Sequence, residues 1–202
     1  MKADITDRAR AEAAVQQAVR RFGRLDALVN NAGLMLLGPV AGADPGEWDR
    51  MIAVNVQGLL YTTRTALPHL LQAAEEGSRR VADIVNVSSI AGRVAWNGYG
   101  VYSFTKFGIN GFTESLRQEV TQRHLRVGLV EPGGVATELG SHNKPEIRRC
   151  GFRAWSSWLT DVRSPRGASV HGGVANCPCG TSAVLPTAGL FGQPVGVGVP
   201  GR

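Results

Sequence analysis

Ile84-Val85-Asn86-Val87-Ser88-Ser89-Ile90-Ala91-Gly92, IVNVSSIAG, passes from a short apolar run straight into small and polar residues. A strand buried in a parallel sheet reads as a near-continuous apolar stretch, and it ends where turn-forming residues begin. Ile84–Val87 is therefore predicted to be a strand, with Ser88 and Ser89 at its carboxyl end pointing to opposite sides. The same pattern occurs on either side. Leu25-Asp26-Ala27-Leu28-Val29 runs into Asn30-Asn31-Ala32-Gly33, and Val127-Gly128-Leu129-Val130 runs into Glu131-Pro132-Gly133.

Helical periodicity fills the intervals. Between Asp7 and Phe22 the apolar residues Val15, Ala18, Val19 and Phe22 fall at i, i+3, i+4 and i+7, and Gly23 follows as a stop. Asp44-Pro45-Gly46-Glu47 supplies an N-cap, a proline at the first helical position and an acid at N3, ahead of a helix expected to reach about Leu71. Its core-facing positions are Trp48, Met51, Ile52, Leu59 and Leu60. A third helix is predicted from Val101 to about His124. Strands alternating with helices, short and apolar enough to be covered on both faces, imply an α/β fold with a parallel sheet and crossover helices. Ligands bind such sheets beyond the carboxyl ends of the strands.

The chain of 202 residues is long enough for one domain with a real core, and its 43% hydrophobic and 19% charged residues are those of a folded globular protein. No apolar run reaches bilayer length, and MKADITDRAR carries no export signal, so a cytoplasmic protein is expected. Cys150, Cys177 and Cys179 are an odd set without a second Cys/His pair at zinc spacing, which argues for plain thiols and no metal site. The net charge of +6 is concentrated beyond residue 140: Lys144, Arg148, Arg149, Arg153, Arg163, Arg166 and Arg202 stand there against Glu146 and Asp161. These cations are scattered among Gly and Pro without a helical stripe or stacking motif, which argues against nucleic-acid binding. Six of the ten prolines fall in the same stretch, and residues 141–202 are expected to be a poorly ordered basic tail beside a domain of residues 1–140.

The residues with chemistry gather at the strand ends and on the third helix. Tyr102 and Lys106 in YSFTK are one helical turn apart on one face. A phenol is a poor base at neutral pH, and a neighbouring ammonium favours its phenolate. A hydroxyl such as Ser89 at an adjacent strand end can donate to a substrate carbonyl oxygen while charge develops there. Taken singly, each is an ordinary surface residue, since a Tyr with a Lys at i+4 is most often an exposed helix pair.

Their order is what distinguishes them. NNAG, then Asn55 in the helical stretch AVNVQG, then SSIAG, then YxxxK, then PGxVxT, at these spacings, resembles the short-chain dehydrogenase/reductases from Asp4 to about Leu139. The resemblance implies a Rossmann-like doubly wound parallel sheet and a hydride transfer between a nicotinamide cofactor and a carbonyl or alcohol. It makes Tyr102 the proton donor and acceptor, and gives Lys106 two tasks, lowering the tyrosine's pKa and binding the nicotinamide ribose. Ser89 then orients the substrate oxygen, and Asn55 holds a water of the proton relay. For the cofactor it implicates Asp4 and Ile5 at the adenine ring, Asn30, Ala32 and Gly33 beside the adenosine half, Val135 and Thr137 at the nicotinamide amide, and Pro132 and Gly133 as further cofactor-binding residues. Asn30 and Asn31 also read as ties between strands through side-chain hydrogen bonds to backbone.

By the same resemblance the first βαβ segment, with its glycine-rich pyrophosphate turn and the residue that selects NAD or NADP, stands ahead of Asp4. The sheet is thus expected to be incomplete, truncated at its N-terminal side. NNAGLMLLGPV, WDRMI, ALPHLL and TKFGINGFTESLRQEV resemble the subgroup of clavaldehyde and serine dehydrogenases, which implies NADP, with NAD possible. Residues 94–100, VAWNGYG, are expected to line the substrate pocket, where Trp96 either stacks on substrate or packs on its neighbouring loop. A homodimer or homotetramer is implied, through the helices containing Trp48 and Val101. The alternative reading is an inactive fragment that keeps only the dimerising part of the fold.

Overall fold

The first helix, α1 (Arg8–Phe22), begins where Asp7 accepts a hydrogen bond from the Arg10 amide and ends where Gly23, at φ 77°, closes the last turn on the Val19 carbonyl. The architecture is that of a computed structural model, which describes residues 2–135 and 137–148 and the backbone of 175–176 and 182–183. Strand β1 (Ala27–Asn30) follows α1, and helix α2 (Pro45–Ile52) starts on the Asp44 cap with Pro45 in its first turn. Residues Ala53–Gly58 then widen into a π-helical segment before α3 (Leu59–Glu76) resumes the α-helix. Strand β2 (Ala82–Val87), a short 3-10 turn (Ile90–Gly92), α4 (Gly100–Val120), strand β3 (Leu125–Val130) and a 3-10 segment (Glu138–His142) complete the first compact unit, Met1–Trp155. In the second unit, Ser156–Arg202, the described backbone is an antiparallel pair of two-residue strands, β4 (Ala175–Asn176) and β5 (Ser182–Ala183). The tail expectation for the rest of 149–202 lies outside the described residues.

The three long strands form a parallel sheet in the order β1-β2-β3. Asn30 is level with Asn86, and Val87 with Val130, so the strand ends form one edge. The main core lies on one face of this sheet, where Ala82, Ile84, Leu125 and Val127 meet Val15 of α1, Leu70 and Ala74 of α3, and Leu116 and Val120 of α4.

Coverage on both faces, expected from the apolar runs, is not what the described residues show. In β2 the buried residues alternate with half-buried ones, and on the same open face Val29 is 59% and Val130 47% exposed. The physical reason is handedness: right-handed crossovers running in one direction along a sheet place all their helices on the same side. Among the described residues the runs β1 to β2 to β3 have only that direction. At the far end of the open face Asp83 is held by Arg126 at 2.7 Å and Arg79 at 3.3 Å.

The break in composition near Leu139 does not end the folded part. Asn143 is buried, donates to the Met35 carbonyl at 2.9 Å and accepts from the Leu37 amide at 2.6 Å, which ties the chain beyond residue 140 to the loop after β1. Lys144 reaches Glu47 of α2 at 3.3 Å. Among the described residues no helix is long and apolar enough to cross a membrane.

Candidate active site

Two polar networks cross the covered side of the sheet, and they differ in what they leave available. The deeper one is centred on Asn86, fully buried, whose side-chain oxygen accepts from Asn30 at 2.8 Å and whose amide donates to Thr113 at 2.9 Å. Asn30 also donates to Thr63 at 2.9 Å and accepts from Thr62 at 2.7 Å. Both amide hydrogens and the oxygen of Asn30 are thus spent on α3 and β2. The Asn30 side chain is thus the tie between strand and helix that its sequence also suggested, and the exposed part of its turn is Asn31, Ala32 and Gly33.

Asn55 is built the same way, in the π-helical segment. Its oxygen accepts from the Leu34 amide at 2.7 Å, and its amide donates to the Leu34 carbonyl at 2.9 Å and to Thr105 at 3.1 Å. The side chain is entirely committed to holding the loop after β1 against α4. A π-type widening opens the helical ladder by one residue and is frequent at functional sites. One turn on, Gly58 is needed because a Cβ there would stand 2.6 Å from the Ile5 Cδ1 and 3.2 Å from the Ile5 carbonyl oxygen. That close approach holds Asp4 and Ile5 against the start of α3. The Asp4 carboxylate itself accepts from the Thr6 amide at 3.0 Å and hydroxyl at 2.8 Å.

The second network lies at the strand ends. Tyr102, Thr105 and Lys106 are buried on the first turns of α4. The Lys106 ammonium donates to the Val87 carbonyl at 2.9 Å and lies 5.7 Å from the centre of the Tyr102 ring. A Cβ on Gly33 would come to 3.8 Å from Lys106 Nζ and 3.7 Å from Asn55 Oδ1, so the NNAG turn, Asn55 and Lys106 share one wall. Burial pushes the Tyr102 phenol up from its ordinary pKa, and the Ser89 hydroxyl, within hydrogen-bonding reach, pulls it back. Burial brings the Lys106 ammonium down to about 8. The expected lowering of the tyrosine by the lysine is absent from this resting arrangement, because Nζ is turned to a backbone carbonyl and faces the ring instead of the phenol oxygen.

The loop expected to line a pocket closes over the same side. Gly38 donates to the Gly98 carbonyl at 2.9 Å. Trp96 meets Tyr99 edge-on at 5.4 Å, and Tyr99 meets Tyr102 at 6.4 Å. Trp96 also packs against the cluster of Leu34, Leu36, Met51, Ala91 and Tyr102, so it rests on the loop after β1. Pro132 joins the edge by accepting from the Ile90 amide at 3.1 Å. Gly133, Val135 and Thr137 are exposed, and Thr137 is occupied in capping the Glu138–His142 turn through the Leu139 amide at 3.3 Å. The structure brings together Asn55, Ser89, Tyr102, Lys106 and Gly33, and Asp4, Val135 and Thr137 are exposed.

Two groups escaped the sequence reading. Thr105 is fully buried, accepts from Asn55 and donates to the Tyr102 carbonyl at 2.7 Å. Ser88, Asn110 and Glu131 form a chain beneath the Ser89 turn. The signal for Asn110 is its position one helical turn beyond Lys106, on the same face.

These residues suit the nicotinamide end of a dinucleotide. Lys106 uses one of three ammonium hydrogens on Val87, and Gly33 leaves space beside it. They do not suit the pyrophosphate. The N-termini of α1 and α2 are capped by Asp7 and Asp44, whose carboxylates occupy an amide of each first turn and would repel an anion there.

A family model described as short chain dehydrogenase matches residues 1–147. Trans-4-hydroxycyclohexanecarboxylate dehydrogenase of Sinomonas cyclohexanicum is 38% identical over 136 residues, covering 67% of this chain and 50% of that protein. Among solved structures, the 3-ketoacyl-(acyl-carrier-protein) reductase from Brucella melitensis complexed with NADH matches with a TM-score of 0.64 at 33% identity, over 68% of this chain and 56% of that one. ElxO with NADP bound matches with a TM-score of 0.66 at 29% identity, over 78% and 61%. The chain spans about half the length of the curated relatives it matches.

Proposed function

The chain belongs to the short-chain dehydrogenase family, and from that premise we propose that it serves an oxidoreductase interconverting a small carbonyl compound and its alcohol. The observation that carries this reading is the grouping of the Ser89 hydroxyl, the Tyr102 phenol and the Lys106 ammonium at one strand edge. A nicotinamide cofactor supplies the hydride when bound. Ser89 holds the carbonyl oxygen by donating to it, and Tyr102 passes its proton to the same oxygen as charge builds there. Lys106 holds the ribose hydroxyls with its two remaining donors, and Asn55 positions the Leu34 loop that forms the adjoining wall. The packed Trp96, Tyr99 and Tyr102 rings exclude water from the phenol. NADP is the proposed nucleotide, on the subgroup resemblance; a structural relative with NADH bound keeps NAD as the alternative. A cytoplasmic location is proposed with it.

The test is a fluorescence titration with NADPH and NADH, followed by carbonyl substrates. Tyr102→Phe should abolish turnover while leaving cofactor binding and the circular dichroism spectrum intact. Undiminished turnover would sink the assignment.

A second reading has its own support. Phe104 (66% exposed) and Phe107 on α4, with Leu60 on α3, present apolar side chains to solvent. An inactive module that pairs through these helix faces would bind neither nucleotide and would sediment as a dimer.

A further inference from the structure

The Ser88–Asn110–Glu131 chain has no part in the chemistry just described, yet every member is a strong hydrogen bond at short range. The Ser88 hydroxyl donates to Asn110 Oδ1 at 2.6 Å. Asn110 Nδ2 donates to Glu131 Oε1 at 2.7 Å and to the Gly92 carbonyl at 3.0 Å. Arg93 grips both Glu131 oxygens, at 2.8 and 2.9 Å. The Glu131 carboxyl is held below its ordinary range, first by Arg93 and then by Asn110, so it is ionised at neutral pH.

The chain encloses the Ile90–Gly92 turn from three sides. Ser88 anchors its entrance and the Gly92 carbonyl its exit, while the Ile90 amide is fixed to Pro132, the next residue but one after Val130. Gly92 shows how tightly this is packed: a Cβ there would stand 2.8 Å from Ser88 Oγ and 2.9 Å from Asn110 Nδ2. Ser88 and Ser89 are adjacent and alternate in direction along an extended backbone, so whatever clamps Ser88 aims Ser89 the other way, at Tyr102. Three segments far apart in the chain, the end of β2, the middle of α4 and the end of β3, meet at Asn110.

We infer that Asn110, braced by Glu131, is a positioning residue that sets the Ser89 hydroxyl against the Tyr102 phenol. It touches neither reacting group and acts through the Ser88–Ser89 pair. This rests on the reading of Ser89 and Tyr102 as the reacting pair.

The protein has three tyrosines, so ring-labelled tyrosine gives a readable NMR titration of the full chain, with Tyr102 assigned from Tyr102→Phe. Ser89→Ala removes the donor and should raise the Tyr102 midpoint. Asn110→Ala should raise it in the same direction, and the double variant should raise it no further than Ser89→Ala alone, since the two substitutions break one interaction. Glu131→Gln, which keeps one acceptor oxygen for Asn110 but loses the ion pair and the second acceptor for Arg93, should give a smaller rise. An unchanged midpoint in a folded Asn110→Ala sample, or additive shifts in the double variant, overturns the proposal. Should Asn110→Ala not fold, an unchanged midpoint in Glu131→Gln overturns it. The titration is independent of catalysis: absent turnover with coupled titrations would remove the reductase reading and leave the positioning role, and uncoupled titrations in an active protein would do the reverse.

Discussion

Replacing Lys106 by methionine should stabilise the protein at neutral pH. The ammonium is buried, and burial alone lowers its pKa from 10.5 to about 8. A tenfold loss of proton affinity corresponds to about 1.4 kcal/mol, so keeping the charge inside costs about 3 kcal/mol at pH 7. Methionine has a similar length and no charge to desolvate, but it forfeits the 2.9 Å bond to the Val87 carbonyl, a loss of about 1 kcal/mol. The expected net gain at pH 7 is about 1–2 kcal/mol.

The sign of the pH dependence follows from the depressed value. Between about pH 8 and the ordinary lysine range the folded protein binds fewer protons than the unfolded chain, so wild-type stability rises with pH through that window and is flat below it. The advantage of Lys106→Met should therefore shrink by about 2–3 kcal/mol between pH 7 and pH 10, and become a small deficit at the alkaline end. Tyr102 titrates in both proteins and cancels from the difference. Urea melts followed by circular dichroism at a series of pH values measure this as a shift in midpoint on the order of 1 M. If Lys106→Met destabilises by the same amount at both ends of the range, the ammonium is not desolvated and the reasoning fails.

Asn55→Ala removes both bonds to the Leu34 backbone and the one to Thr105, and leaves a buried amide hydrogen unpaired; a loss of about 2–4 kcal/mol is expected in urea, with Leu34 the amide whose hydrogen exchange accelerates most. Gly58→Ala drives a Cβ into Ile5 and should cost about 1–3 kcal/mol, with limited proteolysis near Asp4 as its marker, since the start of α3 would no longer accept that segment. An unaltered cleavage pattern in Gly58→Ala would show that the close approach of Ile5 carries no weight.

The strands and their functional edge were legible because the signals are local: an apolar run, then NNAG, SSIAG or PGG, needs only neighbouring residues to be read. Helix starts at Asp7 and Asp44 were legible for the same reason, as N-caps act within one turn. The π-helical segment at Ala53–Gly58 was not: Asn55 within it docks on Leu34, a contact between residues distant in the chain that no local pattern records. The open face of the sheet escaped too. Val29 and Val130 are as apolar as buried strand residues, and composition carries no record of which side a crossover takes. Nor did the fall in apolar periodicity near residue 140 reveal that Asn143 would fold back onto Met35 and Leu37.

Asparagines and hydroxyls recur throughout the sheet edge, and what separates structural from reactive ones is spare hydrogen-bonding capacity. Asn30 and Asn55 have filled both donors and an acceptor with protein partners, so neither side chain has a hydrogen left to offer a ligand. Lys106 has used one donor of three, at a cost in stability that a purely structural residue would not need to carry. The Ser89 hydroxyl accepts from the Ala91 amide at 3.1 Å, which orients its oxygen and leaves its proton for Tyr102 or for a substrate oxygen in its place. The ammonium stands over the Tyr102 ring from α4, and the hydroxyl approaches the same side chain from the end of β2. A carbonyl oxygen that gains negative charge is the kind of group that would use both the Ser89 proton and the Tyr102 proton.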